Sequence, residues 1–168
     1  DRVFFSNSDF KIVEHEYFER LGTGGALKKA SVNEISPFFV IYGDSFLSVD
    51  LDIVQSTFDP RLPGPMMSIY QNNGQYDKSN VVLKNGIARY SKNQELVGAN
   101  FIDYGLSIFQ RDHFKDFPYR FDLSESQEFF SRRRSLQYYI AERRFYEIGS
   151  VDGLVEFKNF IIRSKEKA

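Results

Sequence analysis

Short apolar runs alternate along the chain with segments of helical periodicity, and Gly, Pro, Asn and Asp mark the turns between them. The run at residues 38–42 is unbroken, rich in β-branched and aromatic side chains, and preceded by Pro37. It predicts a strand buried on both faces, as in a parallel sheet. Other apolar runs predict strands at residues 10–17, 66–71, 97–104, 136–141 and 144–148.

The strongest local signal is a β-hairpin at residues 80–92. Asn85 and Gly86 lie between two strand-like runs, and Asn-Gly is the dipeptide that type I′ turns favour. Lys92 ends the second arm, where a solvated lysine is the common case.

Helices are predicted between these strands. Asp50 or Asp52 can cap a helix that runs to about Phe58. A short helix is expected at residues 106–114. A longer helix at residues 124–134 starts at Asp122 or Ser124, with Glu128 nearby.

A final helix is predicted from Val151 to about Arg163, with Ser150 as its N-cap. Its apolar residues recur at helical spacing and form one face: Leu154, Phe157, Phe160 and Ile161.

The run at residues 38–42 ends at Gly43, Asp44 and Ser45. Ligands of open α/β sheets bind at the carboxyl ends of the strands, and a carboxylate there can hold a hard cation such as Mg²⁺. Taken alone, this tripeptide is more typical of an ordinary turn, because Asp and Ser bond to their own backbone. Glu147 favours the cation-binding interpretation over the ordinary turn, because it also lies at a strand end before a glycine-containing turn. If the two strands are neighbours, both carboxylates can reach one cation.

Residues 21–30 combine three glycines within four positions with a helical ALKKA segment, which predicts a tight loop that opens a helix. Helix N-termini offer unpaired N–H groups, and glycines let a ligand approach the backbone. The pattern is neither a P-loop nor the dinucleotide fingerprint. A plain turn with a helix cap explains it equally well.

Composition narrows the function classes. The chain has 168 residues, enough for one domain with a sizeable core. The net charge of −1 provides no general attraction to nucleic acid or to an anionic membrane, and neither partner is expected. Neither a membrane-spanning segment nor a signal peptide is expected. The 18 Phe and 10 Tyr are spread along the chain, as in an aromatic core.

The absence of Cys excludes disulfides, thiolate metal sites and a Cys nucleophile. It fits a reducing compartment, so a cytoplasmic location is expected. His15 and His113 are the only histidines, which excludes a His-rich metal site.

Five segments together resemble the sugar-1-phosphate nucleotidyltransferases, in particular the bacterial heptose-1-phosphate and mannose-1-phosphate guanylyltransferases. They are LGTGGA at 21–26, YGDS at 42–45, YSK at 90–92, IDYGLS at 102–107 and RFYEIGS at 144–150. Each is weak alone, but they keep the family's order and approximate spacing. The resemblance implies a three-layer α/β/α sandwich with a mostly parallel, Rossmann-like mixed sheet and a β-hairpin insertion.

The resemblance also implies roles for particular residues. The nucleotide base would lie against Leu21, Gly22, Thr23, Gly24 and Gly25. Catalysis would depend on Asp44 and Lys92, with Lys92 meeting the sugar phosphate, and the sugar would be bordered by Asp103, Tyr104 and Gly105. Mg²⁺ would bind Asp44 and Glu147, although many relatives have Asp at the second position and Glu-Lys in place of Ser91-Lys92.

The implied enzyme is Mg²⁺-dependent. It joins a sugar 1-phosphate to the nucleoside monophosphate of an NTP, with GTP favoured, and releases pyrophosphate in the synthesis of nucleotide sugars for cell-surface polysaccharide. Residues 1–168 would form a single domain that lacks the family's N-terminal strand, Gly-rich loop and helix. Two alternatives stay open: a non-catalytic module that binds a nucleotide or nucleotide sugar, and a glycosyltransferase that consumes a nucleotide sugar. The sequence is compatible with an oligomer and does not identify the nucleobase or the sugar.

Overall fold

The computed structural model describes residues 20–165. The strand predicted at residues 10–17 and His15 lie outside the described residues. The elements, in chain order, are α1 (Gly22–Ala30), β1 (Phe38–Ile41), β2 (Ser45–Phe46), α2 (Leu51–Thr57), β3 (Met66–Gln71), β4 (Val81–Lys84), β5 (Ile87–Tyr90), β6 (Phe101–Phe109), a 3₁₀ turn (Arg111–Phe114), α3 (Leu123–Arg132), β7 (Gln137–Ala141), β8 (Tyr146–Glu147) and α4 (Val151–Lys165).

Six of the strands form one mixed sheet, in the order β5-β4-β6-β3-β7, with β1 paired to the second half of β6. β3 and β7 run parallel, while the other pairings among residues 20–165 are antiparallel. The predicted α/β fold with a mixed sheet and a hairpin is confirmed, but the share of parallel strands is lower than expected. β2 and β8 form a separate two-stranded sheet.

Helices cover both faces of the large sheet because alternate residues of its strands are apolar on each side. One face packs with α2 through the buried residues Val54, Phe58, Met66, Tyr104, Leu106, Ile108 and Ala141. The other face packs with α1 and α3, mainly through phenylalanines. Phe109 stacks on Phe114 with ring centroids 5.0 Å apart, and Phe117 stacks on Phe121 at 4.8 Å.

The local turn and capping predictions are largely confirmed. Asn85 and Gly86 have φ values of 52° and 74°, as a type I′ turn requires at both central positions. The Asp50 carboxylate caps α2 by accepting hydrogen bonds from the N–H groups of Asp52 and Ile53. At α3 the Glu125 carboxylate, rather than that of Glu128, accepts from the Asp122 N–H.

β1 differs from the strand predicted at residues 38–42. It pairs antiparallel with β6, and its four residues are half-buried or exposed rather than buried on both faces. An unbroken apolar run does not distinguish a central strand from one at a sheet margin, because β1 packs against helices on both faces through Phe39 on one side and Phe38 and Val40 on the other.

β6 is the largest correction. The predicted strand at residues 97–104 and helix at residues 106–114 are instead a nine-residue strand followed by one 3₁₀ turn. Gly105 does not end the strand. Its φ of +79° produces a local bend, and the Asp103 Oδ1 accepts a hydrogen bond from its N–H. β6 continues past this bend to pair with β1.

α4 packs on the small sheet rather than on the large one. Phe157 and Phe160 contact Phe46 and Tyr146, with the Tyr146 and Phe160 ring centroids 4.5 Å apart. Leu154, predicted for the apolar face, is 55% exposed. Among the helices described, none is long and apolar enough to cross a lipid bilayer.

Candidate functional site

The small sheet brings Asp44 and Glu147 together. Ser45 is paired with Glu147 across β2 and β8, and the Ile148 N–H donates to the Asp44 backbone carbonyl over 2.7 Å. The two residues are about 100 positions apart in the sequence, yet the pairing makes them neighbours. The predicted juxtaposition of these acids is therefore present.

The two carboxylates face the same small volume beside Gly149. A β-carbon placed on Gly149 would lie 2.5 Å from Glu147 Oε1 and 3.5 Å from Asp44 Oδ2. Residue 149 has no β-carbon at this point, because it is a glycine. The glycine leaves room between the two oxygens for a small ligand.

The second oxygen of Glu147 is held by Ser150. The Ser150 hydroxyl donates to Glu147 Oε2 over 2.7 Å and accepts from the Gly153 N–H at the start of α4 over 3.1 Å. Ser150 is therefore the predicted cap of the last helix, and it also fixes the orientation of a site carboxylate.

Tyr42, Asp103 and Gly105 adjoin the carboxylate pair. The Tyr42 N–H donates to the Gly105 carbonyl over 3.1 Å, and the Tyr42 ring lies 3.2 Å from the point where a Gly105 β-carbon would be. Burial raises the pKa of the Tyr42 phenol to about 12, with further contributions from Asp103, Asp44 and Asp122. Tyr42 thus remains protonated near neutral pH and can donate a hydrogen bond.

Asp103 is half-buried on the same side. Loss of solvation raises the pKa of its carboxyl to about 6, although the hydrogen bond from the Gly105 N–H acts in the opposite direction. Desolvation, and then the Asp103 charge, also raise the pKa of Tyr90 at the end of β5. The end of the hairpin therefore approaches Asp103.

The raised pKa of Asp103 predicts a pH-dependent stability effect. Between the ordinary Asp pKa and about 6, the folded state retains a proton that the unfolded state has released, so this carboxyl costs stability increasingly as pH rises through that range. We expect Asp103→Asn to raise the free energy of unfolding by about 1–2 kcal/mol at pH 8 and by almost nothing at pH 4. Urea unfolding of both proteins at the two pH values measures this. An equal effect at both would contradict the assigned protonation.

Tyr104, predicted to border the sugar, has a fully buried side chain. It points to the opposite face of β6 from Asp103 and packs edge-on against Phe145 at 5.7 Å. A side-chain contact from Tyr104 to a ligand has no support in this arrangement, and any role in sugar binding would pass through its backbone.

Lys92 follows the hairpin and is exposed. Its N–H donates to Glu128 Oε1 over 3.0 Å, and the neighbouring Ser91 hydroxyl donates to the same oxygen over 3.1 Å. Glu128 thereby attaches the end of β5 to α3. The structure positions the Lys92 backbone, and no residue within 20–165 places an anionic partner at its ammonium group, so its predicted contact with the sugar phosphate stays a prediction.

The glycine-rich segment forms the first turns of α1 rather than a loop ahead of it. The Gly24 and Gly25 N–H groups both donate to the Phe121 carbonyl, over 3.0 and 3.1 Å, and Leu21 is buried. Thr23 Oγ1 accepts from the Leu123 N–H. These contacts give the segment a packing role, and its predicted contact with a nucleotide base stays a prediction.

The packing role can be measured directly. A β-carbon on Gly24 would lie 2.2 Å from the Phe121 ring. We expect Gly24→Ala to lower the free energy of unfolding by about 1–3 kcal/mol, because the clash exceeds the roughly 1 kcal/mol that Ala gains over Gly inside a helix. Gly43→Ala is the control, since its β-carbon would meet no atom of residues 20–165 within 4 Å. Unchanged stability of Gly24→Ala would show that α1 is not held tightly against Phe121.

The donor set agrees with Mg²⁺ bound together with a substrate. In the described part of the chain, no group of three or more His, Cys, Asp or Glu side chains could hold a metal. Mg²⁺ at nucleotide sites commonly uses one or two carboxylates and completes its shell with phosphate oxygens and water. The two convergent oxygens beside Gly149 fit that pattern.

Sequence reasoning did not identify four residues that build this site. From the sequence, Tyr42 is part of the YGDS segment, Ser150 is a helix cap, Gly149 belongs to a turn, and Gly153 has no predicted role. The signal for the last three was the sequence E-I-G-S-x-x-G, in which small residues surround an acid before a helix. Pattern analysis alone does not show that a missing side chain makes room for a carboxylate.

The chain is similar to known proteins in its structure. No family model and no curated protein matches the sequence. The structure matches HddC from Yersinia pseudotuberculosis with a TM-score of 0.63 and 22% identity over 83% of this chain. The chain shares that protein's fold. It spans 62% of the length of HddC.

Two further solved structures have the same fold. The inositol-1-phosphate CTP transferase from T. maritima matches with a TM-score of 0.62 and 15% identity, over 80% of this chain and 58% of its own. Apo UDP-glucose pyrophosphorylase matches with a TM-score of 0.60 and 18% identity, over 86% and 61%. HddC has also been solved in complex with GMP-PN.

Proposed function

We propose that this protein is a nucleotidyltransferase whose active site is built around two carboxylates. The reaction joins a sugar 1-phosphate to the nucleoside monophosphate of an NTP and releases pyrophosphate. The observation that carries the proposal is the convergence of Asp44 and Glu147 beside Gly149. The fold shared with the CTP transferase and with UDP-glucose pyrophosphorylase supports the same reaction class.

Catalysis of this reaction depends more on positioning the two substrates than on transferring a proton. An oxygen of the sugar phosphate forms a bond to the α-phosphorus, and the bond from that phosphorus to the pyrophosphate oxygen breaks. The attacking oxygen is already anionic, so the chain needs no strong general base. When bound, Mg²⁺ would neutralise phosphate charge and orient the reacting oxygens.

The chain's own residues would divide the binding work. Asp44 and Glu147 would hold the cation, and Lys92 would bind the sugar phosphate. The sugar hydroxyls would meet Asp103 and the backbone at Gly105, and the start of α1 would lie beside the base. We favour GTP as the donor, because HddC, whose fold matches with a TM-score of 0.63, has been solved in complex with GMP-PN.

A pyrophosphate assay tests the proposal. The full-length protein is incubated with Mg²⁺, each of the four common NTPs and a panel of sugar 1-phosphates. We expect pyrophosphate release that needs both substrates and stops on addition of EDTA. Absence of release for every pair, from protein shown to be folded by circular dichroism, would refute the proposed reaction.

A non-catalytic nucleotide-binding module is the second candidate. It is favoured by the use of the Gly24 and Gly25 N–H groups for packing, which removes two donors that a bound anion could otherwise have used. Calorimetry separates the two functions. Tight nucleotide binding without Mg²⁺ and without turnover would favour the module, whereas binding that strengthens with Mg²⁺ and leads to product favours the enzyme.

A further inference from the structure

Ser150 lies where the small sheet meets α4, and its hydroxyl makes two bonds at once. It donates to Glu147 Oε2 and accepts from the Gly153 N–H. The second bond anchors the hydroxyl to the first turn of a 15-residue helix. The first bond therefore holds the Glu147 carboxylate against a fixed point.

The bond to Ser150 determines which oxygen of Glu147 faces Asp44. With Oε2 held by Ser150, Oε1 is the oxygen that points to the volume beside Gly149. A glutamate side chain has more rotatable bonds than an aspartate, so it needs an external contact to hold one orientation.

Two glycines provide the space for this arrangement. A β-carbon on Gly153 would lie 2.8 Å from Glu147 Oε2 and 2.0 Å from the Glu147 carbonyl oxygen. A β-carbon on Gly149 would collide with Oε1 on the other side. The carboxylate thus lies close to Gly149, Ser150 and Gly153, and its Oε1 lies on the side of Asp44.

We propose that Ser150 is a positioning residue that orients Glu147 toward Asp44 for binding a divalent cation. The inference rests on the proposed function for its biological meaning, but its physical content is the affinity of the carboxylate pair for a metal. Outer contacts of this kind typically change metal affinity about tenfold or more when they are removed.

The test measures metal binding without catalysis. Mn²⁺ is titrated into the full-length protein with a non-hydrolysable GTP analogue, free Mn²⁺ is followed by electron paramagnetic resonance, and the Mn²⁺ bound by the analogue alone is subtracted. We expect Ser150→Ala to weaken Mn²⁺ binding about tenfold and Ser150→Thr, which keeps the hydroxyl, to restore most of it. Ser164→Ala is the matched control, because its hydroxyl also lies on α4 but donates to the Phe160 carbonyl.

A further variant separates positioning from capping. Gly is accepted at helix N-caps at little cost but has no hydroxyl. Ser150→Gly should therefore keep the helical circular dichroism signal while still weakening Mn²⁺ binding. Unchanged Mn²⁺ affinity in Ser150→Gly and Ser150→Ala would overturn the inference, as would failure of the unsubstituted protein to bind Mn²⁺.

The outcome does not depend on the pyrophosphate assay. Weaker Mn²⁺ binding in the Ser150 variants, in a protein that releases no pyrophosphate with any substrate pair, would support the positioning role and reject the proposed reaction. If the enzyme is active, Ser150→Ala should raise the Mg²⁺ concentration needed for half-maximal rate more than it lowers the rate at saturating Mg²⁺. A merely structural residue would lower the rate at every Mg²⁺ concentration.

Discussion

Asp44→Asn is expected to lower kcat at least about 100-fold, because it removes the negative charge from one of the two carboxylates proposed to hold the cation. Stability should change by less than about 1 kcal/mol. Among the residues that the structure describes, the Asp44 side chain accepts a single hydrogen bond, a long one of 3.4 Å from the Ser45 hydroxyl, and Asn retains an oxygen for it. The bond from the Ile148 N–H uses the backbone and is unaffected.

Steady-state kinetics and urea unfolding of the same preparations measure both quantities. Asp52→Asn is the matched control, since Asp52 is an exposed residue in the first turn of α2. A kcat for Asp44→Asn within about threefold of the unsubstituted protein would remove Asp44 from the reaction.

Gly149→Ala is the second variant with a large expected effect. Its added methyl group would occupy the space between the carboxylates, 2.5 Å from Glu147 Oε1. Glu147 must then turn away from Asp44. Gly149 does not have a left-handed φ, so Ala fits the backbone itself. We expect kcat to fall about 10- to 100-fold and Mn²⁺ affinity to fall with it.

Gly43→Ala is the control for Gly149→Ala, because it also adds a methyl group but one that contacts neither carboxylate. In the described part of the chain a β-carbon there meets nothing within 4 Å, so neither carboxylate is displaced and Mn²⁺ affinity should be unchanged. Equal Mn²⁺ affinities for Gly149→Ala and Gly43→Ala would show that the volume beside Gly149 does not hold the cation.

The features that the sequence predicts correctly depend on interactions between residues that are close together in the chain. Asn85 and Gly86 specify their turn through backbone conformations that few residues tolerate, and Asp50 caps α2 through contacts two and three residues away. Such signals depend on neighbours in the chain. The proximity of Asp44 and Glu147 is predicted from a different signal, because strand ends that carry acids and glycines commonly form ligand sites.

The errors arose where distant contacts decide the structure. Gly105 is a glycine inside a strand, and only the pairing of β6 with β1 and β3 beyond it shows that the strand continues. Contacts with Phe121 explain Gly22 and Gly24 of α1, and a contact with Tyr119 explains Gly25, all almost 100 residues later in the chain. Likewise, the direction of β1 relative to β6 is a property of the assembled sheet, which an apolar run does not encode.

The central claim is that Asp44 and Glu147 hold one divalent cation between them. The most direct measurement is anomalous diffraction from crystals grown with Mn²⁺ and a non-hydrolysable GTP analogue. The account predicts a single strong peak beside Gly149, bonded to oxygens of Asp44, Glu147 and the nucleotide phosphates. A peak bound elsewhere, or Glu147 turned away from the ion, would contradict it.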